Sequence, residues 1–99
     1  MNIPNKLKVG GVTYKVIKKK TFRGKDNDYS GLAKHKQATI DIALTHEDEP
    51  YDIQKIEECF IHELLHCVDA VYNGQNLTEE VIGRLSNGLY QVLKDNKIF

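Results

Sequence analysis

Apolar and polar residues alternate with a period of two in the first part of the chain, which is the pattern of strands with one buried face. Residues 6–9 and 12–18 alternate in this way on either side of Gly10-Gly11, and a glycine pair favours the tight turn of a β-hairpin. The polar segment 21–30 that follows is typical of a loop. The sequence therefore predicts a hairpin followed by a loop.

A second hairpin is predicted over residues 29–36 and 37–44. In its second strand the hydrophobic residues Ile40, Ile42 and Leu44 alternate with residues that are less hydrophobic. Together, the two hairpins give about four strands.

The second half of the chain changes to a helical pattern. An acidic connection over residues 45–52 leads into a helix predicted from about residue 53 to 72, with Asp52 as its N-cap. Gly74 lies just beyond the expected end of this helix, where a glycine commonly terminates one.

A second helix is predicted from about residue 79 to 94, with Thr78 as its cap. The apolar stripe that we expect to face the core consists of Ile82, Leu85, Leu89 and Leu93. The expected fold class is therefore α+β: a small antiparallel or mixed sheet of about four strands followed by two helices, in one domain covering residues 1–99.

The composition is that of an ordinary soluble domain, with 40% hydrophobic and 28% charged residues. No run of about 18–20 apolar residues and no signal-peptide pattern occurs, so no membrane association is expected. Cys59 and Cys67 would lie about 12 Å apart on one helix, too far for a disulfide. Free thiols are typical of a reducing compartment, so we expect a cytoplasmic protein.

The net charge is zero, but its distribution is uneven. Residues 1–40 contain ten Lys and Arg against two Asp and Glu, whereas residues 41–99 contain four against twelve. A basic half can bind nucleic acid. Lysines on short strands more commonly form the solvated face and protect the edges of a sheet, so a nucleic-acid partner is not expected.

The strongest chemical signal is His62-Glu63-x-x-His66 within the first predicted helix. Residues four apart lie one turn apart on the same helical face, so both imidazoles can bind one ion at the usual Zn–N distance of about 2.0–2.1 Å. Glu63 is one position round the helix, where it can take a proton from a water on that metal. We therefore predict a Zn²⁺ site with Glu63 as general base.

The surroundings of this motif are apolar: nine of the thirteen residues 59–71 are apolar, and the exceptions are His62, Glu63, His66 and Asp69. A helix that is apolar nearly all round is expected to be buried, and buried ionisable groups need a partner or a metal.

A catalytic zinc needs a third protein ligand, and the second helix offers Glu79 and Glu80. Glu79 precedes Ile82 by three residues and so shares the stripe expected to face the core, whereas Glu80 lies with the polar residues. Glu79 is the predicted ligand and Glu80 the alternative. Acids in a first helical turn also occur simply because they favour the helix dipole. Two further histidines, at positions 35 and 46, are conceivable ligands.

Asp69 follows His66 by three residues on the same face. It could fix the tautomer of a ligand histidine, cap a loop or pair with a strand lysine. A second group that stabilises the developing negative charge on a substrate oxygen is expected in such sites. The candidates are Tyr29, His35, Tyr72 and Tyr90.

Residues 62–66 (HELLH), followed by a glutamate on the next helix, resemble the gluzincin arrangement of zinc metallopeptidases. At this length the chain is similar to the minimal minigluzincins and to short phage and mobile-element metallopeptidases of the ImmA/IrrE type. In those families a glutamate opens a helix as E-x-x-A-N-x-F-A. Residues 79–86 follow this frame, with Ile82 and Gly83 replacing the small residue and the asparagine. The segments 28–35 and 89–96 also resemble small phage-encoded proteins of this kind.

The resemblance implies a zincin-like metallopeptidase that hydrolyses a peptide bond in a peptide or protein substrate. It further implies an edge strand beside the metal-binding helix that binds extended substrate, for which residues 37–44 are the best candidate. The alternative is a zincin-like binding or regulatory module with a structural or vestigial zinc. Glu63 favours the enzyme, because a structural zinc needs no general base between its ligands.

Overall fold

The computed structural model describes residues 1–19, 30–46 and 49–98. The elements in chain order are β1 (Lys6–Val9), β2 (Val12–Lys19), β3 (Gly31–Lys34), β4 (Thr39–Ala43), β5 (Thr45–His46), β6 (Glu49–Pro50), α1 (Ile53–Tyr72) and α2 (Glu79–Asp95). The expectation of an α+β fold with a mixed four-stranded sheet followed by two helices is confirmed. The predicted loop at 21–30 falls outside the described residues except for Ser30.

The main sheet has the strand order β1-β2-β4-β3. Its outer pairs β1–β2 and β3–β4 are antiparallel, as the two predicted hairpins require. Its central pair β2–β4 is parallel, with Val16 opposite Ile40. In the first hairpin Val9 pairs with Val12 across a two-residue turn, and Gly10 adopts the positive φ of 61° that such turns demand.

The structure corrects the expected substrate-binding edge. Residues 37–44 contain β4, which lies between β2 and β3 and is therefore an interior strand. The burial of this strand agrees with its place: Ile40, Asp41, Ile42 and Ala43 are all buried, as expected of a strand covered on both faces. The edge strand next to α1 is the shorter β3.

The predicted acidic connection contains a small ribbon of its own. In it β5 pairs antiparallel with β6, with Thr45 opposite Pro50. This ribbon leads directly into α1, whose first turn is capped by Asp52 accepting a 2.8 Å hydrogen bond from the backbone N–H of Gln54. Both the cap and the bounds of α1 agree with the prediction.

Helix α1 packs across the sheet through Phe60, Ile61 and Cys67, which form one core with Tyr14, Val16, Ile40 and Ile42. The prediction of a buried helix holds for this face. On the side away from the sheet Val68 is 39% exposed. Within the described residues no helix is long and apolar enough to cross a membrane.

Helix α2 begins after Thr78, whose hydroxyl accepts a hydrogen bond from the Val81 N–H as predicted. Its buried residues are Ile82, Ser86 and Tyr90, whereas Leu85 and Leu89 of the expected core stripe are exposed. The reason is that α2 packs mainly on α1, so one narrow row is enough to cover the contact. Tyr90 can take a core position because its hydroxyl donates to the buried carboxylate of Glu57 at 2.6 Å.

Candidate metal centre

His62 and His66 lie one turn apart on α1 and present their Nε2 atoms to the same point. These two atoms are 3.2 Å apart, and the ring centroids are 4.9 Å apart. Each side chain is about one quarter exposed, at 23%. The helical spacing of the motif therefore produces the predicted pair of converging nitrogens.

Glu79 completes the cluster from the first turn of α2. Its Oε1 is 2.6 Å from His62 Nε2 and its Oε2 is 2.8 Å from His66 Nε2. Glu80 instead pairs with Arg84 on the exposed face of α2. Of the two alternatives that the sequence offered, the structure brings Glu79 to the histidines.

The three side chains fit a zinc ion in both donor chemistry and spacing. Two histidine nitrogens and one carboxylate are a common donor set of catalytic zinc, which keeps a fourth position open. Bonds of about 2.0–2.1 Å at tetrahedral angles would place the ligand atoms about 3.3 Å apart. The ligand atoms here lie within 4.8 Å of one another, and their closest contacts are slightly shorter than that spacing. A small outward shift of Glu79, which is 72% exposed, would make room for the ion.

Ser86 orients the first of the two histidines. Its hydroxyl donates to the Gly83 carbonyl at 3.0 Å, and its oxygen lies 3.4 Å from His62 Nδ1. Because the only hydroxyl proton is used, Ser86 accepts from Nδ1–H, which leaves the Nε2 lone pair for a metal. This role of Ser86 was not predicted from the sequence. The sequence did contain a signal for it: Ser86 follows Glu79 by seven residues, so both side chains lie on the same face of the helix.

Asp69 makes a different contact from the one expected of a group supporting a ligand histidine. Its carboxylate accepts a 2.9 Å hydrogen bond from Asn73 Nδ2 and 3.3 Å hydrogen bonds from the Leu77 N–H. Among the described residues it is therefore a loop cap, the second of the three predicted roles. Asp69 does not support a ligand histidine, the first of those roles, because its carboxylate accepts hydrogen bonds from Asn73 and Leu77 beyond the end of α1. By ordering this loop, Asp69 fixes where α2 begins and so where Glu79 lies.

Glu63 is buried between α1 and the edge strand β3, with 7% of its surface exposed. The backbone N–H of Ala33 donates a hydrogen bond to its carboxylate. Burial first, and the negative charge of Glu79 second, raise the pKa of Glu63 to about 7, although the Ala33 hydrogen bond opposes them. A carboxylate with this pKa can both accept and return a proton near neutral pH.

Gly31 is the reason that β3 can lie so close to α1. A Cβ atom at this position would be 2.4 Å from Cys59 Sγ and 3.0 Å from Glu63 Oε2. Only glycine fits here without displacing the carboxylate. The thiol of Cys59 also donates to the Ser30 carbonyl at 3.1 Å, which attaches α1 to the start of the same strand.

A groove runs along β3 past the cluster of His62, His66 and Glu79. It consists of two cavities of about 380 and 420 Å³ that share Gly31, Glu63 and Glu79 as walls. The first also contains Ser30, Lys55, Glu58, Cys59 and His62, and the second contains Leu32, Ala33, His35 and His66. Glu63 and the ligand cluster therefore lie at the middle of the groove.

Among the described strands, β3 has one edge that pairs with no other strand, and this edge lies along the groove. Ser30 accepts a 2.9 Å hydrogen bond from Ala43 of β4, so alternate residues from Ser30 onward bond to the sheet. Gly31 and Ala33 consequently direct their backbone groups away from β4. They are the positions at which an extended chain could pair with the edge.

The remaining predicted site residues lie apart from the ligand cluster. His46 is in β5, and neither it nor His35 belongs to the group of converging ligands found among the described residues. Tyr72 is 70% exposed at the end of α1 beside Gly10, and Tyr90 is engaged with Glu57. Tyr29 falls outside the described residues. Of the four candidates for stabilising a substrate oxyanion, His35 is the one that lines the groove.

Comparisons of the chain with protein-family models, with curated proteins and with solved structures find no match.

Proposed function

We propose that this protein is a zinc-dependent metallopeptidase. The observation that carries the proposal is the convergence of His62, His66 and Glu79 beside a buried Glu63 whose pKa is raised to about 7. A structural zinc site needs ligands only, whereas this site also holds a carboxylate able to exchange protons at neutral pH. The gluzincin resemblance of the sequence supports the same assignment.

The proposed reaction is hydrolysis of a peptide bond. Zinc bound by His62, His66 and Glu79 would supply Lewis acidity for activating water and polarising the scissile carbonyl. Glu63 takes the proton of the attacking water and delivers it to the leaving amine. The carboxylate is shielded from bulk solvent by β3, and this burial raises its pKa in the metal-free protein.

Substrate binding is assigned to the edge of β3. An extended peptide lying in the groove would pair with the outward N–H and C=O of Gly31 and with the C=O of Ala33, because the Ala33 N–H already donates to Glu63. This pairing would place a peptide bond beside Glu63, because Ala33 already contacts that carboxylate. Hence β3, rather than the strand at 39–43, takes the role predicted for the edge.

A second candidate is a binding module that holds zinc without catalysis. The exposure of Glu79, 72% in a site meant to exclude water, favours it. Both functions require zinc binding by the three ligands, but only the peptidase requires Glu63 as a general base.

The deciding experiment combines metal analysis with a hydrolysis assay. Elemental analysis should give about one zinc per chain for the wild type and for Glu80→Ala, and little for Glu79→Ala. Mass spectrometry of a mixed peptide library should then show cleavage by the wild type but not by zinc-loaded Glu63→Gln. Zinc without cleavage in any library would support the binding module. A wild type that binds no zinc would contradict both candidates.

A further inference from the structure

His35 is held in the groove by a buried tyrosine on the neighbouring part of the sheet. The hydroxyl of Tyr14 lies 2.9 Å from His35 Nδ1, and the two rings meet edge to face. Tyr14 is 2% exposed and belongs to the core. A buried phenol makes a rigid support, so the position of the His35 ring is fixed rather than free to rotate.

The direction of this hydrogen bond determines which nitrogen of His35 carries the proton. Burial raises the pKa of Tyr14, so its hydroxyl keeps its proton and can donate it to the imidazole. When the Tyr14 hydroxyl donates to Nδ1, the proton of a neutral His35 resides on Nε2.

The charge state of His35 agrees with this arrangement. Burial first, and the neighbouring His66 second, lower the pKa of His35, while Asp69 acts in the opposite direction. The ring is thus a neutral imidazole with one N–H. Because Nδ1 and Nε2 are on opposite edges of the ring, the donor is on the edge away from Tyr14.

The cavity that His35 lines contains few donors. Its other side chains with hydrogen-bonding atoms are Glu63, His66 and Glu79, of which one is the proposed base and two are ligands. Among the residues lining this cavity, His35 is therefore the one side chain left to donate a hydrogen bond to a bound carbonyl.

We propose that His35 is the second electrophile of the peptidase site, with Tyr14 as its positioning residue. The Nε2–H of His35 donates to the carbonyl oxygen of the scissile bond as negative charge develops there. This inference rests on the proposed function, and it names the group that the sequence left open among four candidates. Loss of one such donor commonly lowers kcat by about 10²–10³-fold.

The first test is independent of activity. Proton–nitrogen correlation spectra of the ¹⁵N-labelled, zinc-loaded protein report the tautomer of each imidazole. We expect His35 to be neutral with its proton on Nε2 at pH 7.5, and Tyr14→Phe to convert it into a mixture of tautomers. An Nδ1-protonated or fully charged His35 in the wild type would overturn the proposal.

The second test uses the peptide that the library assay shows to be cleaved. We expect His35→Ala to lower kcat by about 10²-fold with KM and zinc content nearly unchanged, and Tyr14→Phe to have a smaller effect in the same direction. His46→Ala, a histidine outside the ligand cluster, is the matched control and should retain wild-type kcat. An unchanged kcat in His35→Ala would overturn the role of His35 while leaving the peptidase assignment intact. No cleavage by the wild type would instead remove the proposed function, and the spectra would still decide the His35 arrangement.

Discussion

The carboxylate of Glu63 on α1 accepts a hydrogen bond from the backbone N–H of Ala33 on β3. The proposed base is therefore joined to the strand that we propose binds the substrate. This contact partly offsets the cost of burying the carboxylate, but burial and Glu79 dominate and raise its pKa from 4.5 to about 7. The folded, metal-free protein thus carries a charge at neutral pH in a place that disfavours it.

This arrangement predicts that Glu63→Gln stabilises the metal-free protein at neutral and alkaline pH. In the wild type the unfolded chain loses the Glu63 proton at a lower pH than the folded chain, so stability falls as pH rises from about 4.5 to about 7 and levels off above. The Glu63→Gln variant has no carboxyl group at this position, so its stability does not decrease for this reason. We expect a gain of about 3 kcal/mol in the free energy of unfolding at pH 8 and almost none at pH 4.5.

Denaturant titrations of the metal-free wild type and variant at the two pH values measure this difference. Glu58→Gln, which removes a half-buried carboxylate from the same helix, is the control. A Glu63→Gln variant that is less stable at pH 8 would show that the Ala33 hydrogen bond outweighs burial.

Gly31→Ala is expected to separate β3 from α1. The added methyl group would lie 2.4 Å from Cys59 Sγ and 3.0 Å from Glu63 Oε2, so the strand or the carboxylate must move. We predict a loss of about 1–3 kcal/mol of stability from overpacking, and a large loss of peptidase activity with the zinc content retained. Gly11→Ala, where nothing lies within 4 Å of the added atom, should change neither. Thermal unfolding and the library cleavage assay measure the two effects.

The sequence was sufficient for the local parts of this molecule. Hydrophobic period and cap residues predicted the helix from Ile53 to Tyr72 and its start at Asp52, and the motif spacing predicted the converging histidines. These features depend on neighbours within a few residues, so a linear pattern contains them. The choice of Glu79 over Glu80 also followed from helical period.

Features that depend on distant neighbours were less accessible. The alternation at 37–44 predicts a strand but contains no information on the parallel pairing with β2 that makes β4 interior. Tyr90 replaces Leu89 in the core because Glu57, thirty-three residues away, accepts its hydroxyl proton. The selection of His35, in the turn between β3 and β4, required the contact with Tyr14 on β2.

Ser86→Ala is expected to weaken zinc binding without removing it. The variant lacks the acceptor for His62 Nδ1–H, so the tautomer with a free Nε2 lone pair is no longer favoured. Loss of such a supporting contact commonly costs about 10–100-fold in metal affinity. Competition with a chromophoric chelator measures the dissociation constant, and Asn87→Ala on the exposed face is the matched control. Equal affinities for Ser86→Ala and the wild type would assign the 3.4 Å contact no role in orienting His62.

The two cysteines provide a probe of the contact between α1 and β3. Burial first, and the charge of Glu63 second, raise the pKa of Cys59 and of Cys67 to about 12, so at pH 8 only about one thiol in 10⁴ is ionised. Neither thiol should react with iodoacetamide in the native protein, and both should react after unfolding in guanidinium, as measured by intact mass.

Cys59 is the more informative of the two, because its thiol donates to Ser30 beside the edge strand, whereas Cys67 is enclosed in the core. If Gly31→Ala lifts β3 from the helix, labelling should increase at Cys59 and remain absent at Cys67. Equal labelling of both thiols would indicate global unfolding. Protection of both in Gly31→Ala would show that the strand stays in place and that the displaced group is the Glu63 carboxylate.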